Sequence, residues 1–328
     1  MRAIIPGIAA TLAIVPSAIV GLSGPAQALT HAAPSLSVSV RMAPAAVTCL
    51  PGPNKFDRTQ VCFKVKAAVV FLENRTPVGT AFFTVTHYLH LDARGRDYKE
   101  QVSIGSVRRV GNAGGVMIAL ADGCGPTCTP VGNNFPVGAA LRSGLHGTLT
   151  FRDSVGAGHV QSLRNNYTWL ANKAGFPPAS DSYSTPLFYR CDDNIRNFPA
   201  GCVFPKATPV LTSMLSLTNI AANIRRIQSG GGHYGRIGSG HPLHRITDAA
   251  QQRRNNAFLC PRSRPRPPGK QCDEYPFAST SEGGNNVPAD SRGWAWVPAA
   301  EQQSQGGRIS AFYNANRVLN GDAFWVLV

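Results

Sequence analysis

Three carboxylates and a cysteine fall within the thirteen residues from Cys272 to Gly284, which read CDEYPFASTSEGG. Acidic residues are otherwise scarce in this chain: seven Asp or Glu follow residue 205, and five of them lie between 273 and 301, namely Asp273, Glu274, Glu282, Asp290 and Glu301. Clustered carboxylates repel one another, so a fold that gathers them usually uses them to bind a cation or to move a proton. The stretch therefore predicts a chemical site.

Two of these carboxylates are neighbours, Asp273 and Glu274, directly before Tyr275 and Pro276. A residue before proline is held extended, so the pair is predicted to end a strand. Adjacent side chains of a strand point to opposite faces, and one carboxylate is therefore expected to enter the site while the other supports it. We predict that Asp273 is the general base that takes a proton from water. A turn-capping aspartate is the alternative.

Other polar residues near this stretch are candidates for the same site. Glu282 precedes Gly283-Gly284, where the backbone can approach a ligand closely, and it is a candidate for binding a metal or ordering a water; a solvated loop glutamate is the alternative. His241 and His244 could protonate a leaving group or contact phosphate, with a surface or capping role as the alternative. A phosphate track is predicted from the basic residues Arg253, Arg254, Arg262, Arg264, Arg266 and Lys270.

Alternating helix and strand patterns surround these candidates. Apolar residues at helical spacing predict a first helix near 217–227. Thr247-Asp248 is expected to cap a second helix that continues through Asn256. A third helix is predicted over 304–319, and strands over 294–297 and 324–328. This order of elements is typical of a small α+β domain.

The region from Cys49 to Tyr189 has a different pattern. Strand-like segments occur at 61–67, 81–91, 102–110, 116–120 and 145–152, separated by Gly, Asn, Asp and Pro. Short strands with such turns favour a β-sandwich-like module. His87 and His90 are three residues apart, which places them on opposite faces of a strand, so we do not expect them to share a metal.

The N-terminus and the cysteines indicate export. An apolar run from about Ala3 to Leu22 is followed by Ala26-Gln27-Ala28, a small-x-small cleavage pattern, so residues 1–28 are predicted to be a signal peptide; a retained anchor is the alternative. No later segment is apolar enough to span a bilayer. Eight cysteines in an exported chain favour disulfides, and nearest-neighbour pairing is predicted: Cys49 with Cys62, Cys124 with Cys128, Cys191 with Cys202, and Cys260 with Cys272.

The chain is strongly basic, with a net charge of +15 and a pI near 9.9. A protein with this positive charge attracts polyanions, including nucleic acid, teichoic acid and anionic lipid. The alternative is that the charge serves only solubility.

The C-terminal part of the chain resembles the NucA/NucB deoxyribonucleases, a family of secreted bacterial endonucleases. The resemblance rests on His241-Pro242, the stretch DEYPFAST with its following EGG, Glu301 to Gly307, Phe312-Tyr313, and Asn320-Gly321-Asp322. It covers about the last third of the chain. It implies a compact ββα-metal-like nuclease site that uses Mg²⁺ or Mn²⁺, DNA as the substrate, little sequence preference, and an acid in place of a histidine base. This also favours Asp273 as the base.

One position departs from the family pattern. Members of the family usually carry an acid-Asn-Arg sequence at the start of the third helix, whereas this chain has Glu301-Gln302-Gln303. The resemblance implies metal ligands here, so the predicted set is Glu282, Glu301 and Gln302. Glutamine keeps an amide oxygen on a longer arm, and the missing arginine removes an expected phosphate contact.

These expectations combine into a two-domain chain. We predict a signal peptide at 1–28, an all-β sandwich-like accessory domain at 29–190, a linker with a disulfide loop at 191–215, and an α+β nuclease domain at 216–328. The predicted function is a secreted, metal-dependent endonuclease acting on DNA. A DNA- or envelope-binding protein with a degenerate nuclease domain is one alternative. A glycosidase is another, but Asp273 and Glu274 diverge, whereas glycosidase carboxylates face each other across the bond.

Overall fold

The computed structural model describes residues 35–43, 46–47, 49 and 56–328. The predicted signal peptide, residues 1–28, lies outside this part of the chain. From Ser35 to Val328 the chain forms one compact unit. No helix within the described ranges is both long and apolar enough to cross a bilayer.

The N-terminal part is all β. Its strands are β1 Leu36–Met42, β2 Ala46–Val47, β3 Gln60–Glu73, β4 Thr76–His90, β5 Asp97–Ile104, β6 Arg108–Gly111, β7 Met117–Gly123, β8 Cys128–Asn133, β9 Ala139–Ala140, β10 His146–Asp153, β11 Val160–Leu163, β12 Asn166–Lys173, β13 Phe176–Ser184, β14 Tyr189–Asp192 and β15 Gly201–Val203. The predicted β-rich character of this region is therefore confirmed.

Two antiparallel sheets enclose the N-terminal core. The larger has the order β1-β3-β4-β5-β10-β8, with β2 beside β3 and β6 beside β4, and the smaller has the order β13-β12-β7-β9. Residues alternate between buried and exposed along β3 and β4, as expected for sheets with one face in the core. His87 is buried and His90 is not, so they lie on opposite faces as predicted. The prediction of a single strand over 102–110 is wrong, because β5 ends at Ile104 and a separate strand, β6, begins at Arg108.

The C-terminal part is α+β. Its elements are β16 Val210–Leu211, α1 Thr218–Gln228, β17 Leu243–His244, α2 Ala249–Leu259, β18 Lys270–Tyr275, β19 Gly293–Pro298, α3 Ala299–Ala315 and β20 Ala323–Val326. Asp248 caps α2 by accepting hydrogen bonds from the backbone N–H groups of Ala250 and Gln251, as its sequence position predicted. The third helix begins five residues earlier than predicted, at Ala299, directly after Pro298.

Strands β18 and β19 form an antiparallel hairpin, and α3 follows β19 without a loop. Helix α1 and helix α3 both contact this hairpin. Beside it, β20 lies between β16 and β17 in a small mixed sheet. Hairpin and helix therefore form a ββα unit that carries the acidic stretch.

Each part of the chain has its own hydrophobic core. One cluster of buried residues ends at Ala207 and the other begins at Leu211.

Buried ion pairs join the two parts. Arg317 is fully buried and binds both carboxylate oxygens of Asp192, while Asp322 accepts hydrogen bonds from Arg58 at 2.7 Å and Arg190 at 2.8 Å. Because the described chain is one compact unit, the predicted domain boundaries at 190 and 215 stay a prediction.

Four disulfides match the predicted nearest-neighbour pairs. They join Cys49 to Cys62, Cys124 to Cys128, Cys191 to Cys202, and Cys260 to Cys272. The last of these ties the end of α2 to the middle of β18, so it fixes the helix against the strand that carries Asp273 and Glu274.

Candidate active site

Asp273 and Glu274 lie in β18, opposite Ala295 and Trp294 of β19. The extended backbone before Pro276 turns their side chains to opposite faces of the hairpin, as the sequence predicted. The two carboxyl groups consequently have different surroundings.

Asp273 is held between α1 and α3. Its side chain has no exposed surface. Oδ2 accepts a hydrogen bond from Asn223 Nδ2 at 2.8 Å, and Oδ1 accepts one from Gln305 Nε2 at 2.8 Å. Burial raises the pKa of Asp273 to about 6, although the two amide donors act in the opposite direction. In this conformation both oxygens are occupied by protein groups.

Glu274 faces α2 and the space between α2 and α3. It is 8% exposed, and the Cys260 sulfur lies 3.6 Å from Oε2. Burial raises the pKa of Glu274 to about 7. A carboxyl group with this pKa exchanges protons near neutral pH.

A cavity of about 360 Å³ lies against Glu274. Helix α3 supplies one wall through Gln302, Gln305, Ile309 and Tyr313. The side-chain oxygen Oε1 of Gln302 is buried and has no hydrogen-bond partner in the described structure. Buried polar atoms are nearly always paired, so an unpartnered oxygen on a residue that lines the same cavity as Glu274 is a candidate ligand-binding atom.

The cavity is also lined by Arg245 and Gln252, and both residues were missed by the sequence analysis. Arg245 follows β17, its guanidinium lies 4.6 Å from the centre of the Tyr313 ring, and it donates to Val318 O. These contacts fix a cation at the cavity wall. The only sequence signal was an arginine next to His244, in a chain with many arginines.

Glu282 lies outside the residues that line the cavity. Oε2 accepts a hydrogen bond from the His244 backbone N–H, and Oε1 lies 2.8 Å from His244 Nδ1. The two glycines that follow Glu282 allow a close contact with α2 rather than with a ligand: a Cβ on Gly284 would lie 2.8 Å from the Cα of Asn255. Asn255 in turn donates to Ala278 O and Thr280 O, which fixes the loop.

Glu301 caps α1. Its carboxylate accepts hydrogen bonds from the backbone N–H groups of Asn219 and Ile220 and from the Asn219 side chain. A negative charge at a helix N-terminus is stabilising. The structure thus places Gln302 alone, of the three predicted metal ligands, at the cavity.

The remaining predicted residues are spread over the surface. His241 is exposed, with Nδ1 2.9 Å from Gly232 O and its ring against Tyr234. Arg264 stacks on Trp294 at 3.6 Å and donates to Leu259 O, so it supports the loop before β18. Exposed side chains of the predicted phosphate track are Arg253, Arg254, Arg262 and Arg266, and Lys270 is half-buried at the start of β18.

A divalent cation in this domain would have few protein ligands. Nowhere in 35–43, 46–47, 49 and 56–328 do three His, Cys, Asp or Glu side chains converge as a metal cluster. Mg²⁺ and Mn²⁺ accept carboxylate and amide oxygens, and Mg²⁺ keeps several waters, so one or two protein oxygens are enough. Gln302, with its unpartnered Oε1, and Glu274 line the same cavity, and their amide and carboxylate oxygens fit that chemistry.

A ββα unit with a carboxylate, an unpartnered amide oxygen and an arginine at one cavity is suited to hydrolysis of a phosphate ester. The family model of deoxyribonuclease NucA/NucB matches residues 242–327. The resemblance seen in the sequence is confirmed, and the C-terminal third of the chain carries a domain of this nuclease family. The matched segment contains β18, β19, α2, α3 and every residue that lines the cavity. No curated protein and no solved structure matches the chain.

Proposed function

We propose that this protein is a secreted, divalent-metal-dependent endonuclease that hydrolyses DNA phosphodiester bonds with little sequence preference. The observation that carries the proposal is the pair of Glu274 and Gln302 at one cavity inside the segment matched by the nuclease family. The four disulfides fit an extracellular protein.

The general base in this proposal is Glu274. A base must reach the proton that it removes. Asp273, which the family resemblance favours, has no exposed surface and binds two amide groups, whereas Glu274 lines the cavity and has a pKa raised to about 7. Glu274 therefore takes the proton of the attacking water, and Asp273 is a positioning residue that ties β18 to α1 and α3.

The amide oxygen of Gln302 is the protein atom that would hold the cation. With a divalent cation held there, the site would gain charge neutralisation at the scissile phosphate and at the leaving oxygen. Glutamine replaces the asparagine usual in the family, and its longer arm is less preorganised. We expect an enzyme that needs more metal than its relatives.

Arg245 would orient the phosphate. Its guanidinium is fixed by Tyr313 and Val318, so it presents remaining N–H donors without a large loss of side-chain entropy. Gln252 of α2 lines the cavity, and the next two residues of this helix are Arg253 and Arg254. These two arginines add to the positive charge of Arg245. Contacts of this kind bind the DNA backbone and carry no sequence information.

Plasmid cleavage tests the proposal. Supercoiled plasmid is incubated with the full secreted chain in Mg²⁺ or Mn²⁺, with and without a chelator. Nicked and then linear DNA that disappears with the chelator supports it. Intact plasmid in both metals overturns it; if the plasmid is retarded in a gel but uncut, the protein is a DNA-binding protein with a degenerate nuclease domain.

A further inference from the structure

The outer face of the larger N-terminal sheet carries polar side chains, interrupted at Cys62, which is buried and bonded to Cys49. Strand register places them in three rows across β3, β4, β5 and β10. The rows are Lys64-Thr86-Ser103-His146, then Cys62-Tyr88-Gln101-Thr148, then Gln60-His90-Lys99-Thr150. Residues at alternate positions, such as Phe63, His87 and Leu149, are buried. We call these three rows the sheet face.

A cavity of about 410 Å³ lies on the sheet face. It is lined by side chains of the first two rows, including Thr86, Tyr88, Gln101, Ser103 and His146. Hydroxyl, amide and imidazole groups from three strands therefore converge on one depression. Volumes of this size hold small ligands or one unit of a polymer.

The charge of the sheet face is positive. Lys64 and Lys99 are exposed, and Lys66 lies beside Lys64 on the same side of β3. None of these lysines forms an ion pair within the described residues, and the three rows contain no carboxylate. Glu100, next to Lys99 in β5, is buried on the opposite face. On the sheet-face side of β5 the nearest acid is Asp97, which Arg152 binds at 2.7 and 2.9 Å, and Asp57 lies near His90. An anionic partner would meet unneutralised lysines here.

Aromatic rings lie beside the cavity. Tyr88 and His90 are half-buried, and their ring centres are 4.3 Å apart in an edge-to-face arrangement. The Tyr88 hydroxyl donates to Gln60 at 3.0 Å, which holds the ring in place. A fixed ring next to lysines is what a single nucleic acid strand uses, since a base stacks on the ring while phosphates meet the cations.

We propose that the sheet face binds single-stranded nucleic acid, with one base in the cavity beside Tyr88 and the phosphates near Lys64 and Lys99. Neighbouring strands are about 5 Å apart and rows about 7 Å apart, so Lys64 and Lys99, which are two strands and two rows apart, are separated by about 17 Å and flank the cavity on opposite sides. They would meet phosphates on either side of the bound base rather than those of consecutive nucleotides. In a duplex the bases are stacked and paired, so the face prefers single strands. The inference adds a substrate-holding surface to the proposed nuclease, but it does not depend on cleavage.

Fluorescence anisotropy with a labelled 15-nucleotide DNA strand tests this. The full chain is titrated in EDTA, so that metal-dependent cleavage does not interfere. The variant Lys64→Gln/Lys99→Gln is compared with Lys206→Gln/Arg196→Gln, which removes the same charge from exposed residues off the face. We expect the face variant to lower the slope of log Kd against log salt by about 1.4, the value for two phosphate contacts on a single strand, and the control to leave the slope unchanged.

Tyr88→Ala separates nucleic acid from other polyanions. Loss of one stacked base weakens binding by about fivefold or more, and inorganic polyphosphate, which has no bases, should be insensitive to the change. Thermal melting confirms that each variant is folded. Equal slopes for face and control variants, or equal binding of DNA by Tyr88→Ala and the wild type, would overturn the inference. Failure of plasmid cleavage leaves this test intact.

Discussion

Asp273 and Glu274 are neighbours in sequence, yet the carboxylate of Asp273 is enclosed between α1 and α3 while that of Glu274 lies at the cavity between α2 and α3. The extended backbone of β18 separates them. Burial raises the pKa of both groups, to about 6 and about 7. Ionisation of these two buried carboxyl groups therefore lowers the stability of the domain.

That cost is measurable at Asp273. Its pKa is raised by burial from 3.8 to about 6, so the folded state binds a proton more tightly than the unfolded state, and stability falls as pH rises between these values. The contribution is at most about 3 kcal/mol, at 1.36 kcal/mol per pKa unit. We expect Asp273→Asn to gain stability relative to the wild type from pH 4 to pH 7 in urea unfolding. A difference that stays constant over this range contradicts the assignment.

The opposite pH dependence is expected at Asp322. Burial alone would raise its pKa, but Arg190 and Arg58 hold the pKa below the usual value. Ionised Asp322 therefore stabilises the fold above pH 4, and this contribution is lost as pH falls below about 3.8. Asp322→Asn should cost about 3 kcal/mol at pH 7, because two buried arginines lose their partner. In urea unfolding the deficit should shrink at pH 3; a deficit equal at both pH values would show that the charge is unimportant.

Gln302 should set the metal requirement. Gln302→Leu keeps the volume and removes the oxygen, so the Mn²⁺ concentration for half-maximal plasmid nicking should rise by roughly tenfold or more. Gln303→Leu is the matched control, since the neighbouring Gln303 is exposed. An unchanged Mn²⁺ requirement in Gln302→Leu would remove this residue from the site.

Glu301 should behave as a helix cap. Glu301→Ala removes the acceptor for the first N–H groups of α1 and should lower the free energy of unfolding by about 1 kcal/mol. Its Mn²⁺ requirement should match that of the wild type. A large rise in the metal requirement without loss of stability would instead identify Glu301 as a ligand, as the sequence analysis predicted.

The sequence was informative where local rules decide the structure. The strand segments at 61–67 and 81–91, the Asp248 cap and the close cysteine pairs were all predicted correctly, because each depends on residues near in sequence. It was also sufficient to separate Asp273 from Glu274, since a strand before proline fixes their directions.

Long-range partners could not be predicted in this way. Asp192 lies in the predicted linker, but it is buried against Arg317, 125 residues away. Likewise, Glu301 at the start of one helix caps another, and Arg245 enters the cavity through the packing of β17 beside β20. The charge and the type of a residue do not reveal its distant partner, because these pairings arise only when separate elements pack together.

The general base is tested most directly by comparing Glu274→Gln with Asp273→Asn. Both variants remove one charge from adjacent residues of β18, and both are checked for folding by thermal melting. Single-turnover cleavage of a labelled DNA duplex in saturating Mn²⁺ then gives the rate of the chemical step. We expect Glu274→Gln to be slower than the wild type by about 10²-fold or more, and Asp273→Asn to lose far less. Full activity of a folded Glu274→Gln, with loss of activity in a folded Asp273→Asn, would contradict this account.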